Sequence, residues 1–408
     1  MNQHSLIKLL AATAAVVGLA FWVNTARSPE TSASAGGGLL VPGMKDKINQ
    51  VDQLRVFGAG NQVLVTLKRQ DNRWTVGERA GYAADIEKVR EYLLRLADAR
   101  LIEAKTANAA LYAKLGVEDV KAPDAKGNRV EIDGLDKPVR LVVGSFNGQG
   151  GGGTFVRRDA EPQSWLAQGT LIPEKQPGNW LDKALADIPS SRIQRVEIGR
   201  DGKLLVAHKE HPSDANFQID GVPKGRELNS AFEGNGLAAV LAGLRFEDVR
   251  KADSAAETTT PALTAHYVSF DGLVIDATSQ IEGDKTWVRF AAHYDPVAAE
   301  AHVKREQTQA QADHAAASKA HADQLAATPA ADAKAPAQPA AEPPPAPVAP
   351  LAVTDPVKDR MQRLAAIEEE VAKLNARFAG WSFQLPPYTY SNMSRRMDDL
   401  LKPERVES

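Results

Sequence analysis

Cysteine is missing from all 408 residues of the chain. Its absence excludes disulfides, thiolate metal sites, a cysteine nucleophile and a lipidated N-terminal cysteine. It leaves the redox compartment open, since a chain without thiols is indifferent to it. An excess of charge of either sign is missing too: 49 Lys and Arg stand against 52 Asp and Glu, a formal net charge of −3. Nucleic-acid binding wants a basic face, and nothing in this balance supplies one. Aromatic residues make up only 6%. What is present is globular, with 43% hydrophobic and 25% charged residues in a chain long enough for two domains with sizeable cores. Ala and Pro crowd toward the C-terminus, so composition is uneven along the chain.

One long apolar run stands out. Leu9–Val23 carries no charge, and its extension to Leu6–Ala26 contains only Lys8, close enough to the end to snorkel. Phe21 and Trp22 lie where an interfacial aromatic belt would sit. The run predicts a single transmembrane helix, with residues 1–27 as an N-terminal membrane anchor and 28–47 as a flexible tether containing Gly36-Gly37-Gly38. A cleaved signal peptide is the rival reading, and Asn24-Thr25-Ala26 fits a cleavage site poorly. A short N-terminus inside and a large domain outside places the bulk of a bacterial protein in the periplasm, attached to the inner membrane by one pass.

The remainder is organised around Asp85–Ala104. Ile86, Val89, Leu93, Leu96 and Ala97 recur at helical steps, and Asp85 is placed to cap the start. Its ending returns: Leu96-Ala97-Asp98-Ala99-Arg100-Leu101 is echoed by Leu241-Ala242-Gly243-Leu244-Arg245-Phe246. Strand-like alternation repeats as well, with Val51, Leu54 and Val56 matched in spacing by Ile193, Val196 and Ile198. Leu141 and Val143 align with Leu273 and Ile275 at the offset that also aligns Phe155-Val156-Arg157 with Trp287-Val288-Arg289. Asn179–Leu185 reads as helix-like. The predicted fold class is α+β: two tandem copies of a module of antiparallel strands packed by one main helix, preceded by the transmembrane helix. The first module covers 48–188, and the second covers 189–297 and 378–402. Between the two parts of the second lie an Ala/Pro-rich low-complexity insertion, 298–354, and an amphipathic helix, 355–378. Within the insertion, Ala298–Ala327 suits a solvated helix and Thr328–Pro350 reads as disordered or polyproline-like. Val357, Met361, Leu364, Val371, Leu374 and Phe378 make the apolar face of the helix, which packs on its own domain or docks on a partner helix.

No catalytic constellation emerges. Gly148–Gly153 satisfies a dinucleotide-type glycine pattern, yet a strand and not a helix follows it, so it reads as a hairpin loop. His208 and His211 lack a third ligand, and His302, His314 and His321 lie in the low-complexity tract. Ser164, Ser191 and Ser269 have no nucleophile-elbow glycines around them. Trp74, Trp165, Trp180, Trp287 and Trp381 read as packing residues. No catalytic residue, cofactor-binding residue or metal ligand is nominated, no cofactor is expected, and the chain is read as non-enzymatic.

Trp74-Thr75-Val76, Tyr82-Ala83-Ala84-Asp85, Val89-Arg90, Leu93-Leu94 and Leu96–Arg100, followed by Lys105–Asn108, Leu111-Tyr112 and Leu115-Gly116-Val117, resemble the domain-of-unknown-function 4340 family. The close Trp381…Leu385-Pro386…Tyr388 is similar too. The resemblance extends over most of 45–295 and 378–402 and omits the Ala/Pro tract. It implies a single-span protein auxiliary to transporters of the gliding-motility ABC type, with the inner membrane and ABC permease and ATPase subunits as partners. It brings no residue roles. The expected function is therefore a membrane-anchored periplasmic accessory or scaffold protein beside an ABC-type transport system. The alternatives are an envelope binding module for glycan or lipid, or a hydrolase with an unrecognised site.

Overall fold

The structure, a computed structural model, describes residues 38–149, 152–252, 261–327 and 345–403. It divides after Asp182 into two units, Met1–Asp182 and Lys183–Ser408.

In the first unit the strands are β1 (Gln53–Phe57), β2 (Val63–Gln70), β3 (Arg73–Val76), β4 (Tyr82–Ala83), β5 (Leu101–Ala104), β6 (Asn128–Asp133), β7 (Val139–Asn147), β8 (Gly153–Arg158) and β9 (Ser164–Gln168). They form one antiparallel sheet in the order β4-β3-β2-β1-β6-β7-β8-β9-β5. Alternation sends Leu54, Val56, Val65, Leu67, Val130 and Ile132 to a fully buried inner face. Each such side chain contributes roughly 1.5–3 kcal/mol of transfer free energy. Helix α1 (Ile86–Asp98) starts where Asp85 accepts hydrogen bonds from the amides of Glu87 and Lys88, at 3.1 and 3.2 Å. It buries Val89, Tyr92, Leu93, Leu96 and Ala97, while Ile86 stays exposed. The Tyr92 ring meets Trp180 edge-on at 5.8 Å and its hydroxyl donates to the Leu171 carbonyl at 3.2 Å.

The outer face of this sheet is partly covered by the connection from β5 to β6, which contains the turn α2 (Tyr112–Leu115). Tyr112 and Val117 pack on Val142, with Leu115 and Phe155 beside them. Arg157 stacks over Tyr112 at 4.9 Å and donates from Nε to the Val117 carbonyl at 3.0 Å. Gly144 makes the close approach possible, because a Cβ there would lie 2.3 Å from the Leu115 carbonyl oxygen.

The second unit contains β10 (Ala184–Ala186), β11 (Ile193–Arg200), β12 (Lys203–His208), β13 (Gln218–Ile219), β14 (Leu244–Arg245), β15 (Asp248–Lys251), β16 (Leu263–Ser269), β17 (Leu273–Glu282), β18 (Lys285–Tyr294) and β19 (Trp381–Gln384). Its main sheet runs β13-β12-β11-β16-β17-β18-β19-β15, the same order as the first without a counterpart of β4. Individual bridges repeat as well. Leu39 pairs with Arg100 in one unit and Ala184 with Arg245 in the other. Asp85 donates its amide to the Trp180 carbonyl at 2.7 Å, and Asn229 donates to Leu400 at 2.8 Å.

Three features distinguish the second unit. The counterpart of α1 shrinks to α3 (Glu233–Ala238) and a 3₁₀ turn, Ala239–Leu241, in a segment weakened by Gly234 and Gly236. The connection from β15 to β16, residues 252–262, is less than half as long as the covering segment 105–127 of the first unit. Between β18 and β19 rise the long α4 (Pro296–Ala327), the turn α5 (Leu351–Thr354) and α6 (Pro356–Phe378). In α4, Ala299 and Val303 near its start are buried. Ile367, Leu374 and Phe378 are the buried apolar residues of α6, Phe378 stacking on Phe290 at 5.4 Å. Asn375 pairs both ways with the Ala292 backbone of β18, at 2.8 and 2.7 Å. Arg192 locks the middle of α6, forking onto Glu370 at 2.7 and 2.8 Å and reaching Asp271 at 2.7 Å. The chain closes through α7 (Pro387–Met393) and α8 (Met397–Leu400).

The architecture expected from sequence needs correction. Among the described residues no helix is long and apolar enough to cross a membrane, which overturns a fold built of two modules preceded by a transmembrane helix. Residues 1–27, where the sequence places that span, lie outside the described residues, as does most of Thr328–Pro350. The module packed by one main helix is a description that fits the first unit only. The organising helix ends at Asp98: Ala99 turns to extended backbone, its carbonyl accepts from the Leu40 amide at 2.8 Å, and Leu101–Ala104 joins the sheet edge beside β9. Asn179–Leu185 is a 3₁₀ turn running into β10. The alignment of Leu273 and Ile275 with Leu141 and Val143 slips by four residues, since strand pairing puts Ala277 and Ser279 at those places.

Candidate functional site

Strand alternation that fills the inner face of the second sheet leaves a polar outer face. Glu197 of β11 stands opposite His266 of β16, which stands opposite Asp276 of β17, and His293 of β18 lies diagonally beyond, opposite Val274. His266 Nδ1 is 2.7 Å from Asp276 Oδ1, and His293 Nε2 is 2.9 Å from Asp276 Oδ2. The side chains are 47%, 30% and 59% exposed for His266, Asp276 and His293. Arg195 pairs with Glu197 at 2.6 Å on the same face.

The first sheet carries the opposite charge pattern in the same row. Arg55 is opposite Glu131 and Glu131 is opposite Arg140. Glu131 is buried beneath Arg55 at 2.8 Å, Arg129 at 3.1 Å and Arg140 at 3.4 Å. Where that sheet holds Val142 beneath its covering segment, the second holds a half-buried Thr278. The substitution of a polar for an apolar residue at the equivalent place is the sequence-level reason the described residues leave this second face open.

Asp276 thus bridges the two rings, meeting His266 through Nδ1 and His293 through Nε2, and leaves His266 Nε2 and His293 Nδ1 as the ring nitrogens it does not engage. Among the described residues no hydroxyl or thiol is hydrogen-bonded to either ring, and no group of three His, Cys, Asp or Glu is arranged to hold a metal ion.

The residues weighed from sequence are scattered. His208 ends β12 with Nδ1 3.1 Å from Asp220 Oδ1, whereas the His211 backbone amide donates to Asp214 at 2.9 Å. His302, His314 and His321 are spread along α4. Ser164 donates to the Thr106 carbonyl at 2.7 Å, and Ser269 bonds Asp271 at 2.5 Å. Ser191 lies in the turn before β11. Gly148–Gly153 joins β7 to β8 as a hairpin, residues 150 and 151 lying outside the described residues. Trp74, Trp180 and Trp287 are buried, Arg250 covers Trp287 at 4.2 Å, and Lys251 covers Trp381 at 3.8 Å. Sequence reading passes over His266, Asp276 and His293. Alternation alone puts His266 and Asp276 on one side of their strands, but register between strands is needed to bring them together.

Residues 74–262 match the model of a family described as a domain of unknown function (DUF4340). The matched stretch runs from β3 of the first unit to the residue before β16 of the second. No curated protein and no solved structure matches significantly. The family description names no enzymatic activity.

Proposed function

We propose that this protein is an accessory or scaffold protein of the bacterial envelope, lying on the periplasmic side of the inner membrane and working beside an ABC-type transport system. The observation that supports this reading best is the outer face of the second sheet, which the described residues leave open. A polar row tied together by the shared Asp276 carboxylate is suited to holding a partner. The family matched over residues 74–262, with no activity in its description, is compatible with such a role.

The test is crosslinking of the tagged full-length protein in cells, detergent extraction and mass spectrometry of what copurifies. ABC permease and ATPase subunits are expected with the wild type and are expected to be lost with His266→Ser/His293→Ser. A stable protein recovered without them would overturn the accessory reading. A second reading, an envelope module that binds glycan, is favoured by the ring nitrogens that Asp276 does not engage, which match sugar hydroxyls. It predicts recovery of the protein alone and retention on immobilised envelope glycans.

A further inference from the structure

The second unit has a concave site at the end of its β11–β12 hairpin. In the first unit the β1–β2 connection is a loop, Gly58–Gln62, anchored by Gly60 and Asn61 amides on the carbonyls of Ala122 and Val120 at 3.0 and 2.9 Å. Gly58 lies against the Leu64 side chain. In the second, β11 and β12 are joined by a tight turn with left-handed Asp201 and Gly202, which suits a two-residue hairpin. The shortened turn uncovers Leu204, at the place of Leu64, which is 61% exposed. On the other face of the same hairpin opens a cleft of about 290 Å³, floored by the buried Ile198 and Leu205.

The rim of this cleft is cationic. Arg200, Lys203, Arg395 and Arg396 line it with two carboxylates, Asp201 and Asp398. Arg396 and Arg200 share the single carboxylate of Asp201, at 2.7 and 3.6 Å. Arg200 spends another donor on the Ser394 carbonyl at 3.0 Å. Arg395 turns to Glu233 at 2.5 Å, and Lys203 has no ion-pair partner among the described residues. In the first unit Gln176 caps the terminal turn where Arg396 caps it in the second, so the guanidinium at that position belongs to the second unit alone.

We infer that this cleft binds a phosphate ester whose phosphate meets Lys203, Arg200 and Arg396 while its apolar substituent lies over Leu205 against Pro223 and Met397. Guanidinium forks and a flexible ammonium are the donors phosphate oxygens require, and Pro223 and Met397 supply an apolar surface that free phosphate does not use. Such a group comes from a lipid headgroup with its attached chain or from free phosphate. The inference does not depend on the accessory role.

Calorimetric titration of the full-length protein with hexyl phosphate and with inorganic phosphate tests it. Hexyl phosphate is expected to bind more tightly. Lys203→Glu should weaken both by about tenfold or more, because it replaces the unpaired cation with a like charge. Met397→Ser should weaken hexyl phosphate severalfold and leave inorganic phosphate unchanged. Lys203 is exposed and Met397 half-buried, and an unchanged thermal melt shows that the variants fold. Equal affinity for the two anions, lost in Lys203→Glu, would retain the phosphate site and overturn the lipid source. Absence of binding by millimolar hexyl phosphate, or binding indifferent to Lys203→Glu, would overturn the inference altogether.

Discussion

Arg192 holds the inserted helices to the second sheet, and its removal has a calculable effect. The guanidinium satisfies three charge-assisted contacts, two on Glu370 and one on Asp271. Burial opposes its charge, but the bonds to Glu370 and the charge of Asp271 outweigh that and raise its pKa above the ordinary value. Breaking a fully buried pair costs about 3–5 kcal/mol. Here the side chains of Arg192 and Asp271 are 24% and 17% exposed and that of Glu370 is 36% exposed, so solvent takes up part of the loss. Arg192→Ala should then destabilise the second unit by about 2–3 kcal/mol, and Glu370→Gln by ~1 kcal/mol. The assay is urea unfolding combined with hydrogen exchange, in which amides of α6 around Glu370 should lose protection before those of β16 and β17. The double variant should show a coupling of roughly 1 kcal/mol or more, because the partners touch. Acid should mimic the mutation. Burial pushes the Asp271 carboxyl up, but the Ser269 hydroxyl and Arg192 prevail and hold it below its ordinary value. A depressed carboxyl contributes stability above its unfolded pKa of about 3.9 and loses it as pH falls through the lower folded value. Additive effects of the two substitutions, or α6 protection unchanged in Arg192→Ala, would refute the lock.

Two further substitutions probe the sheets. Tyr267 is fully buried at the position where the first sheet has Ile132, and its hydroxyl has no hydrogen-bond partner among the described residues. Tyr267→Phe should therefore raise the thermal midpoint, by about 1 kcal/mol of relieved desolvation, and a lowered midpoint would show that the hydroxyl is satisfied. In the first unit, Gly144→Ala drives a Cβ into the Leu115 carbonyl and should cost about 1–3 kcal/mol by lifting the segment around Tyr112 and Val117. Denaturant titration reads that loss, and a wild-type midpoint would mean that β7 has slack there.

Local signals were legible where they were also decisive. Asp85 caps α1 with its own side chain, and Leu54 and Val56 point inward because strand alternation leaves them no other face. The end of α1 was illegible: Ala99-Arg100-Leu101 has no helix stop, and the helix yields because Leu101–Ala104 gains a strand partner in β9. The echo of that segment near Leu241 marks a switch from helix to strand, which one-dimensional periodicity reads as more helix. The apolar face written along α6 is only half used. Leu374 and Phe378 are buried, whereas Val357 and Met361 are 71% and 67% exposed, since Asp359 takes the inward position in that half and bonds Gln307 at 2.9 Å and Arg363 at 3.0 Å. The row of His266, Asp276 and His293 is invisible in the sequence because its members come from different strands, and only register unites them.

The two sheets share an order of strands and differ in what their outer faces ask of their surroundings. In the first, Val142 lies under Tyr112 and Val117, and baring that cluster would expose apolar surface. In the second, Thr264, Thr278, His266 and Asp276 occupy the outer face, and water satisfies such groups at little cost. The second face is therefore not an unfinished core awaiting a hydrophobic lid. Whatever covers it must replace the hydrogen bonds of water one for one, or each buried polar group left unpaired will cost about 1–3 kcal/mol. Under the accessory role proposed above, that requirement selects a partner whose donors match Glu197 and Asp276, and binding at this face would weaken with salt. In the first sheet Arg55, Arg129 and Arg140 close over Glu131, so the carboxylate of that row finds its counter-charges within the row itself.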